Sequence, residues 1–100
     1  MKRQEFGDLF VFVAVADTRS FTQAAAELGT SQSVVSHAIA RLERRFGRLI
    51  ERGAKGVDGL TPTGDHLVVT LRPTLKKIEL EIEQLEKRQR PASHGVKPFG

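Results

Sequence analysis

The fold of this chain is decided by residues 20–47, SFTQAAAELGTSQSVVSHAIARLERRFG. Ser20 begins a helix, and Gln23 three residues later completes a capping box that satisfies backbone N–H groups of the first turn. Gly29 follows at the position where a left-handed residue ends a helix, a conformation that costs glycine little. Ser31 then caps a second helix. Two helices joined by a short turn containing glycine predict a helix-turn-helix.

The second helix has one apolar and one polar face. Its apolar stripe follows spacings of four, three and four, and consists of Val35, Ile39, Leu42 and Phe46. The first helix offers a small apolar face that allows close approach: Ala24, Ala25 and Leu28. We therefore predict that these two faces pack together and leave the polar face exposed.

An apolar segment, LFVFVAVA at residues 9–16, precedes this unit. Periodicity alone does not tell a helix from a buried strand in so short a run. Two overlapping helical stripes fit the segment, and their members are Phe6, Leu9, Phe10, Phe12, Val13 and Ala16. We predict a helix, because the two helices that follow need a third partner to close a core.

A small hairpin is predicted after the second helix, which ends at Gly47. Residues 48–52, RLIER, form a strand candidate, and GAKGVDG at residues 53–59 has three glycines, which is typical of a turn. Leu60 and Thr61 then form the returning strand. A hairpin in this place indicates a wing.

A long helix is predicted from Pro62 to about residue 90, with Thr61 as its cap and the proline at its first position. Its apolar residues follow a heptad seam: Leu71, Leu75, Ile78, Ile82 and Leu85. Pro73 removes one helical hydrogen bond and kinks the axis at a cost of about 3 kcal/mol. The segment is therefore either two helices or one bent helix.

Composition favours one small domain with an anionic partner. The 100 residues carry 16 Lys and Arg against 12 Asp and Glu, a net charge of +4. Residues 41–55 alone hold six basic and two acidic side chains, which equals the whole excess. The absence of cysteine excludes disulfides and thiolate metal sites. The longest apolar run, eight residues, is too short to span a bilayer, so we expect a cytoplasmic protein without a signal peptide or membrane partner.

The motifs SFTQAAAELG, SQSVVSHAIARLE, LIER and LTPTG, in this order, resemble the DNA-binding domain of LysR-type transcriptional regulators over residues 6 to about 90. The resemblance implies a mainly α fold. A winged helix-turn-helix of three helices plus a small β-hairpin wing would occupy residues 1–61, followed by a long C-terminal linker or dimerisation helix at residues 62–90. We expect a flexible tail at residues 91–100.

The chain departs from the family pattern in four places. It is one residue shorter between Gly47 and Leu49, and its wing is slightly longer. Asp58 stands where a basic residue is common, and His37 stands where the family usually has arginine. The 100 residues do not include the effector-binding domain that normally follows in the family. We therefore expect either a piece of a longer regulator or a stand-alone DNA-binding unit, with no small-molecule site in this chain.

Double-stranded DNA is the partner that the resemblance implies. The polar face of the second helix supplies the candidate base contacts, which are Gln32, Ser33, Ser36 and His37. The major groove admits one helix, glutamine can pair with adenine through two hydrogen bonds, and short serines let the backbone approach. A solvated polar face is the ordinary alternative.

Phosphate contacts are predicted from hydroxyl groups near helix N-termini and from basic residues between the second helix and the wing. The candidates are Ser20, Thr22, Ser31, Arg41, Arg44, Arg52 and Lys55. A charged, solvated surface would explain the basic residues equally, and capping alone would explain Ser20.

The seam Leu71, Leu75, Ile78, Ile82 and Leu85 is the predicted interface of a homodimer, with Leu75 onward contacting the partner. A twofold dimer predicts a pseudo-palindromic DNA target. The alternative is a winged-helix protein-interaction module that acts through this helix, for example in mixed dimers with a full-length regulator.

No enzyme, metal or cofactor is expected. Ser36 and His37 are adjacent on a helix, so their side chains diverge and cannot form a nucleophile–base pair. The histidines are far apart in sequence, and no glycine loop has phosphate-binding spacing.

Overall fold

Three helices, a hairpin and one long helix follow one another in the computed structural model, which describes residues 1–54 and 56–89. They are α1 (Arg3–Thr18), α2 (Phe21–Leu28), α3 (Gln32–Phe46), β1 (Ile50–Gly53), β2 (Gly56–Leu60) and α4 (Pro62–Gln89). The predicted mainly α architecture with a hairpin between α3 and α4 is confirmed. Lys55 and the predicted tail lie outside the described residues.

The caps of α2 and α3 follow the predicted local chemistry, with one difference. The Ser31 hydroxyl accepts the Val34 N–H at 3.2 Å, and Gly29 takes the left-handed conformation at φ 68°. The Ser20 hydroxyl accepts the Gln23 N–H at 3.0 Å, but the Ser20 N–H donates to Thr18 Oγ1 at 3.2 Å. The predicted capping box is therefore only half formed, because a nearer hydroxyl replaces the Gln23 side chain.

The core lies where α1, α2 and α3 meet the hairpin and the first turns of α4. Its fully buried large side chains are Phe12, Val15, Val35, Ile39, Leu42, Leu49 and Ile50. The apolar segment 9–16 is helical, and α4 contributes the buried Val68. Burial of these side chains is the main source of stability for a domain of this size.

Three aromatic residues of the predicted stripes are exposed. Phe46, predicted to extend the buried stripe, lies in the last turn of α3 and is 47% exposed. The Arg45 guanidinium lies over its ring, 5.2 Å from the centroid. Phe6 and Phe10 are also exposed, since the face of α1 that packs inward carries Phe12 and Val15.

The paired strands of the wing extend further along the hairpin than predicted. The antiparallel strands pair as far as Gly53 with Gly56, so residues 53–59 are not a seven-residue turn. β1 begins two residues later than predicted, at Ile50. The register shifts after Glu51, which leaves Asp58 as the extra residue of a β-bulge.

α4 is attached to the wing through its first turn. Thr61 Oγ1 accepts the Gly64 N–H at 3.0 Å and donates to the Arg48 carbonyl at 2.8 Å. A Cβ on Gly64 would lie 2.1 Å from the Leu49 carbonyl oxygen, so only glycine allows this approach.

α4 runs without interruption through Pro73, which excludes the two-helix alternative. The molecule is 54 Å long and 24 Å wide, because the C-terminal half of α4 extends beyond the core. Among the described residues, no helix combines the length and the apolar character needed to cross a membrane.

Candidate nucleic-acid interface

One face of α3 is polar and open to solvent. Ser33, His37 and Arg44 are exposed and Ser36 is half-buried, while Val35 and Ile39 lie on the opposite, buried side. At about 100° per residue, positions 33, 37 and 44 fall on one side of the helix. The structure thus brings the predicted base-contact residues together along one edge of the molecule.

The start of this face is joined to α2. Thr22 Oγ1 donates to Gln32 Oε1 at 3.2 Å, and the hydroxyls of Ser31 and Ser33 are 3.2 Å apart. The Thr22 bond uses the amide oxygen of the exposed Gln32 side chain, and the amide nitrogen remains a hydrogen-bond donor. The first turns of α2 and α3 therefore present hydroxyl and amide groups at the same end of the site.

Two arginines of α3 are held by α1. Arg41 donates to both carboxylate oxygens of Asp8 at 2.9 Å, and this interaction raises the pKa of Arg41. Asp8 is only 5% exposed, and Arg41 supplies the opposite charge that a buried carboxylate requires. Arg45 forms an ion pair with Glu5. These bonds attach the C-terminal half of α3 to α1.

Glu43 connects α3 to the wing. Its Oε2 atom accepts the N–H groups of Leu49 and Ile50 at 2.9 and 3.1 Å, and its Oε1 atom lies 3.2 Å from Arg52 Nη2. Burial acts to raise the pKa of Glu43, but the two backbone N–H groups and Arg52 outweigh it and hold the pKa below its ordinary value.

Arg52 is held from a second side by α2. Its guanidinium lies over the Phe21 ring, 5.7 Å from the centroid, while it pairs with Glu43. The side chain is still 43% exposed. Arg52 therefore presents an oriented cation at the junction of α2, α3 and β1.

The basic side chains of residues 41–55, here called the basic window, differ in whether a carboxylate neutralises them. Carboxylates pair with Arg41, Arg45 and Arg52, whereas Arg44 and Arg48 are exposed and have no carboxylate within 4.0 Å among residues 1–54 and 56–89. The predicted phosphate contact at Lys55 lies outside that part of the chain.

Sequence reasoning missed three of the groups that orient these arginines. Asp8, Glu5 and Phe21 lie 31 to 40 positions from their partners, so no helical spacing reveals the pairing. The one available signal was Asp8 itself, because a carboxylate one residue before the apolar run has to find a partner when that face is buried.

The predicted dimer seam divides into two parts. Leu71 and Leu75 are half-buried and pack against the core of their own domain. Ile78, Ile82 and Leu85 are each about half exposed on the projecting part of α4. Leu75 therefore has an intramolecular role, and three seam residues remain open.

The three-helix core, the hairpin and the polar face of α3 define a winged helix-turn-helix DNA-binding domain. The family model described as "Bacterial regulatory helix-turn-helix protein, lysR family" matches residues 6–65. The chain belongs to this family. It is thus a LysR-type DNA-binding domain.

Relatives and solved structures agree with this assignment. The HTH-type transcriptional regulator PgrR of Escherichia coli (strain K12) is 41% identical over 98 residues, 97% of this chain and 32% of PgrR. The chain thus spans about a third of the length of that relative. The BenM DNA-binding domain bound to catB site 1 DNA matches with a TM-score of 0.66 and 30% identity, over 89% of this chain and 96% of that one. The CbnR DNA-binding domain in its DNA complex matches with a TM-score of 0.67 and 27% identity, over 90% of this chain and 100% of that one.

Proposed function

We propose that the chain is the operator-binding part of a cytoplasmic transcriptional regulator and binds double-stranded DNA as a homodimer with α3 in the major groove. The observation that carries this proposal is the exposed polar face of α3, in which Ser33, Ser36 and His37 follow Gln32 on one edge of the domain. Its small side chains at the N-terminal end suit close approach to base edges.

Gln32 is the proposed sequence-reading residue. Thr22 engages one lone pair of its amide oxygen, so the second lone pair and the amide nitrogen are available for the two-bond pairing with adenine. His37 is exposed on the same face and would contact base edges beside Gln32.

Phosphate contacts are proposed for Arg44 and Arg52, which are exposed beside the α3 face, and for the hydroxyls of Ser20, Thr22 and Ser31 at the starts of α2 and α3. Lys55 remains a proposal from sequence. Arg41 is left out of this set, because Asp8 engages its guanidinium through two hydrogen bonds. Contacts of this kind position the protein and make binding fall with salt.

The proposed dimer forms through α4. Ile78, Ile82 and Leu85 repeat at spacings of four and three on a helix that extends past its own core, as a second helix requires. Two recognition helices related by a twofold axis would bind half-sites one or more DNA turns apart, about 34–36 Å per turn.

Selection of duplexes from a random pool, followed by titration of the selected and scrambled duplexes at several salt concentrations, tests the proposal. We expect a pseudo-palindromic consensus and a log K that falls linearly with log salt. Absence of binding at low salt, or binding without a salt slope, would contradict it. Such a result would favour a protein-interaction module that acts through α4.

A further inference from the structure

We infer that Glu43 positions the wing relative to the recognition helix α3 for DNA binding, by accepting the N–H groups of Leu49 and Ile50. The inference rests on the proposed function, in which α3 and the wing contact one duplex together. Glu43 itself need not touch DNA, because its side chain is only 15% exposed and faces the base of β1.

The first argument is the short link between α3 and β1. The chain leaves the helix at Gly47, whose positive φ of 85° turns the backbone, and β1 begins three residues later at Ile50. Leu49 and Ile50 are fully buried there, so their N–H groups need acceptors within the protein. The Glu43 carboxylate supplies one oxygen for both groups.

Glu43 also ends the helix. Its backbone carbonyl accepts the Gly47 N–H at 2.9 Å, while its side chain reaches forward to the start of the strand. One residue therefore holds both ends of the link at 47–49. A change in its acceptor position would alter the angle at which the hairpin leaves α3.

The second argument is that other wing contacts lead elsewhere. The Leu49 carbonyl accepts the Thr61 N–H at the start of α4, and the Asp58 carbonyl accepts a bond from Arg19 between α1 and α2. Within the described part of the chain, Glu43 accepts all three hydrogen bonds between an α3 side chain and the hairpin segment at 48–60.

The two carboxylate oxygens have separate tasks, which makes the inference testable. Oε2 accepts both backbone N–H groups, and Oε1 faces Arg52. Glu43→Gln keeps an acceptor at the Oε2 position but loses the charge that faces Arg52. Glu43→Asp keeps the charge but withdraws the acceptor by one carbon–carbon bond, about 1.5 Å. If acceptor position matters most, E43Q binds DNA more tightly than E43D.

The experiment compares the full chain and its E43Q, E43D and E51Q variants on the duplex that the wild type binds best. Glu51→Gln is the matched control, because it removes one negative charge from an exposed side chain of the same hairpin. We expect E43Q to stay within about threefold of E51Q and E43D to lose about tenfold, with a lower salt slope because wing contacts to phosphate are lost.

E43D binding as tightly as E43Q, or neither variant differing from wild type, would overturn the inference. Hydrogen exchange at the Leu49 and Ile50 amides of wild type and E43Q gives a second test that does not need E43D to fold. Both amides should stay protected in E43Q, and rapid exchange with undiminished binding would also overturn it. A wild-type chain that binds no duplex would instead reject the proposed function.

Discussion

Arg41 of α3 donates two hydrogen bonds of 2.9 Å to the buried carboxylate of Asp8, 33 residues earlier in α1. The pair joins the recognition helix to the first helix at the edge of the core. Arg41 therefore has a structural role, although it lies among the basic residues at 41–55. Its contributions to stability and to DNA binding can be measured separately.

Arg41→Met should destabilise the domain by about 2 kcal/mol, since it leaves Asp8 buried without a partner; a fully buried pair would cost about 3–5 kcal/mol, but Arg41 is 35% exposed. Urea unfolding measures this loss. Under conditions where the variant is folded, the salt slope of DNA binding should equal that of the wild type. Arg44→Met is the control. We expect it to make the fall of log K with log salt less steep by about 1, with little loss of stability.

Glu43 should make the free energy of unfolding decrease as the pH falls below about 4.5. Its pKa is lowered on folding from an ordinary value of 4.5, so the carboxylate stabilises the fold above pH 4.5 and loses this contribution as the pH falls through the folded-state pKa. Thermal unfolding from pH 7 to pH 3 should therefore show a smaller decline for E43Q than for wild type. Equal declines would mean that other carboxylates account for the acid sensitivity.

Gly64→Ala should destabilise the domain by about 1–3 kcal/mol, because its Cβ would meet the Leu49 carbonyl oxygen at 2.1 Å and the backbone would have to move. Gly7→Ala is the matched control. That glycine also lies in a helix, but apart from its chain neighbours and the adjacent helix backbone nothing lies within 4 Å of an added Cβ. The change should therefore stabilise the domain by up to about 1 kcal/mol. Chemical unfolding of both variants gives the comparison.

Gln32→Ala and Arg52→Ala should affect DNA binding in different ways. The first removes a base contact and should relax sequence preference by about 1–3 kcal/mol at one position of each half-site. The second removes an oriented cation and should weaken selected and scrambled duplexes alike. Competition titrations measure both effects, and equal changes in selectivity would refute this division of roles.

Ile82→Glu should dissociate the proposed dimer, because it places a charge in the exposed seam of α4. Leu80→Glu is the control on the same part of the helix. Leu80 is 47% exposed against 50% for Ile82, but it lies about 200° away around the helix axis. Sedimentation velocity should show monomers for I82E and dimers for L80E; two identical profiles would exclude this face as the interface.

Local chemistry made the helix-turn-helix readable from sequence. The Ser31 cap and the left-handed Gly29 depend on bonds within a few residues, and both occur as predicted. Phe46 was misplaced because periodicity continues to the end of a helix, whereas the packing partners stop one turn earlier. The extent of the wing was misread because a count of glycines does not reveal that Gly53 pairs with Gly56.

The site was only partly predictable for a similar reason. The polar face of α3 follows from helical spacing, so its residues could be named in advance. The state of each arginine depends on contacts made in three dimensions with Asp8, Glu5, Glu43 and Phe21. Net charge therefore overestimated how many cations are free to meet phosphate.

The attachment of α4 has a mechanical consequence. Gly64 lies against Leu49, and Val68, Leu71 and Leu75 pack on the core, so the first half of the helix moves as one body with the hairpin. A helix of this length is a lever of about 42 Å. If two such helices meet at Ile82, the arm back to Pro62 is about 30 Å. A tilt of about 7° at that point would displace each attached domain by about 4 Å, more than one base-pair step of about 3.4 Å. The angle between the two arms would then select among operators of different half-site spacing.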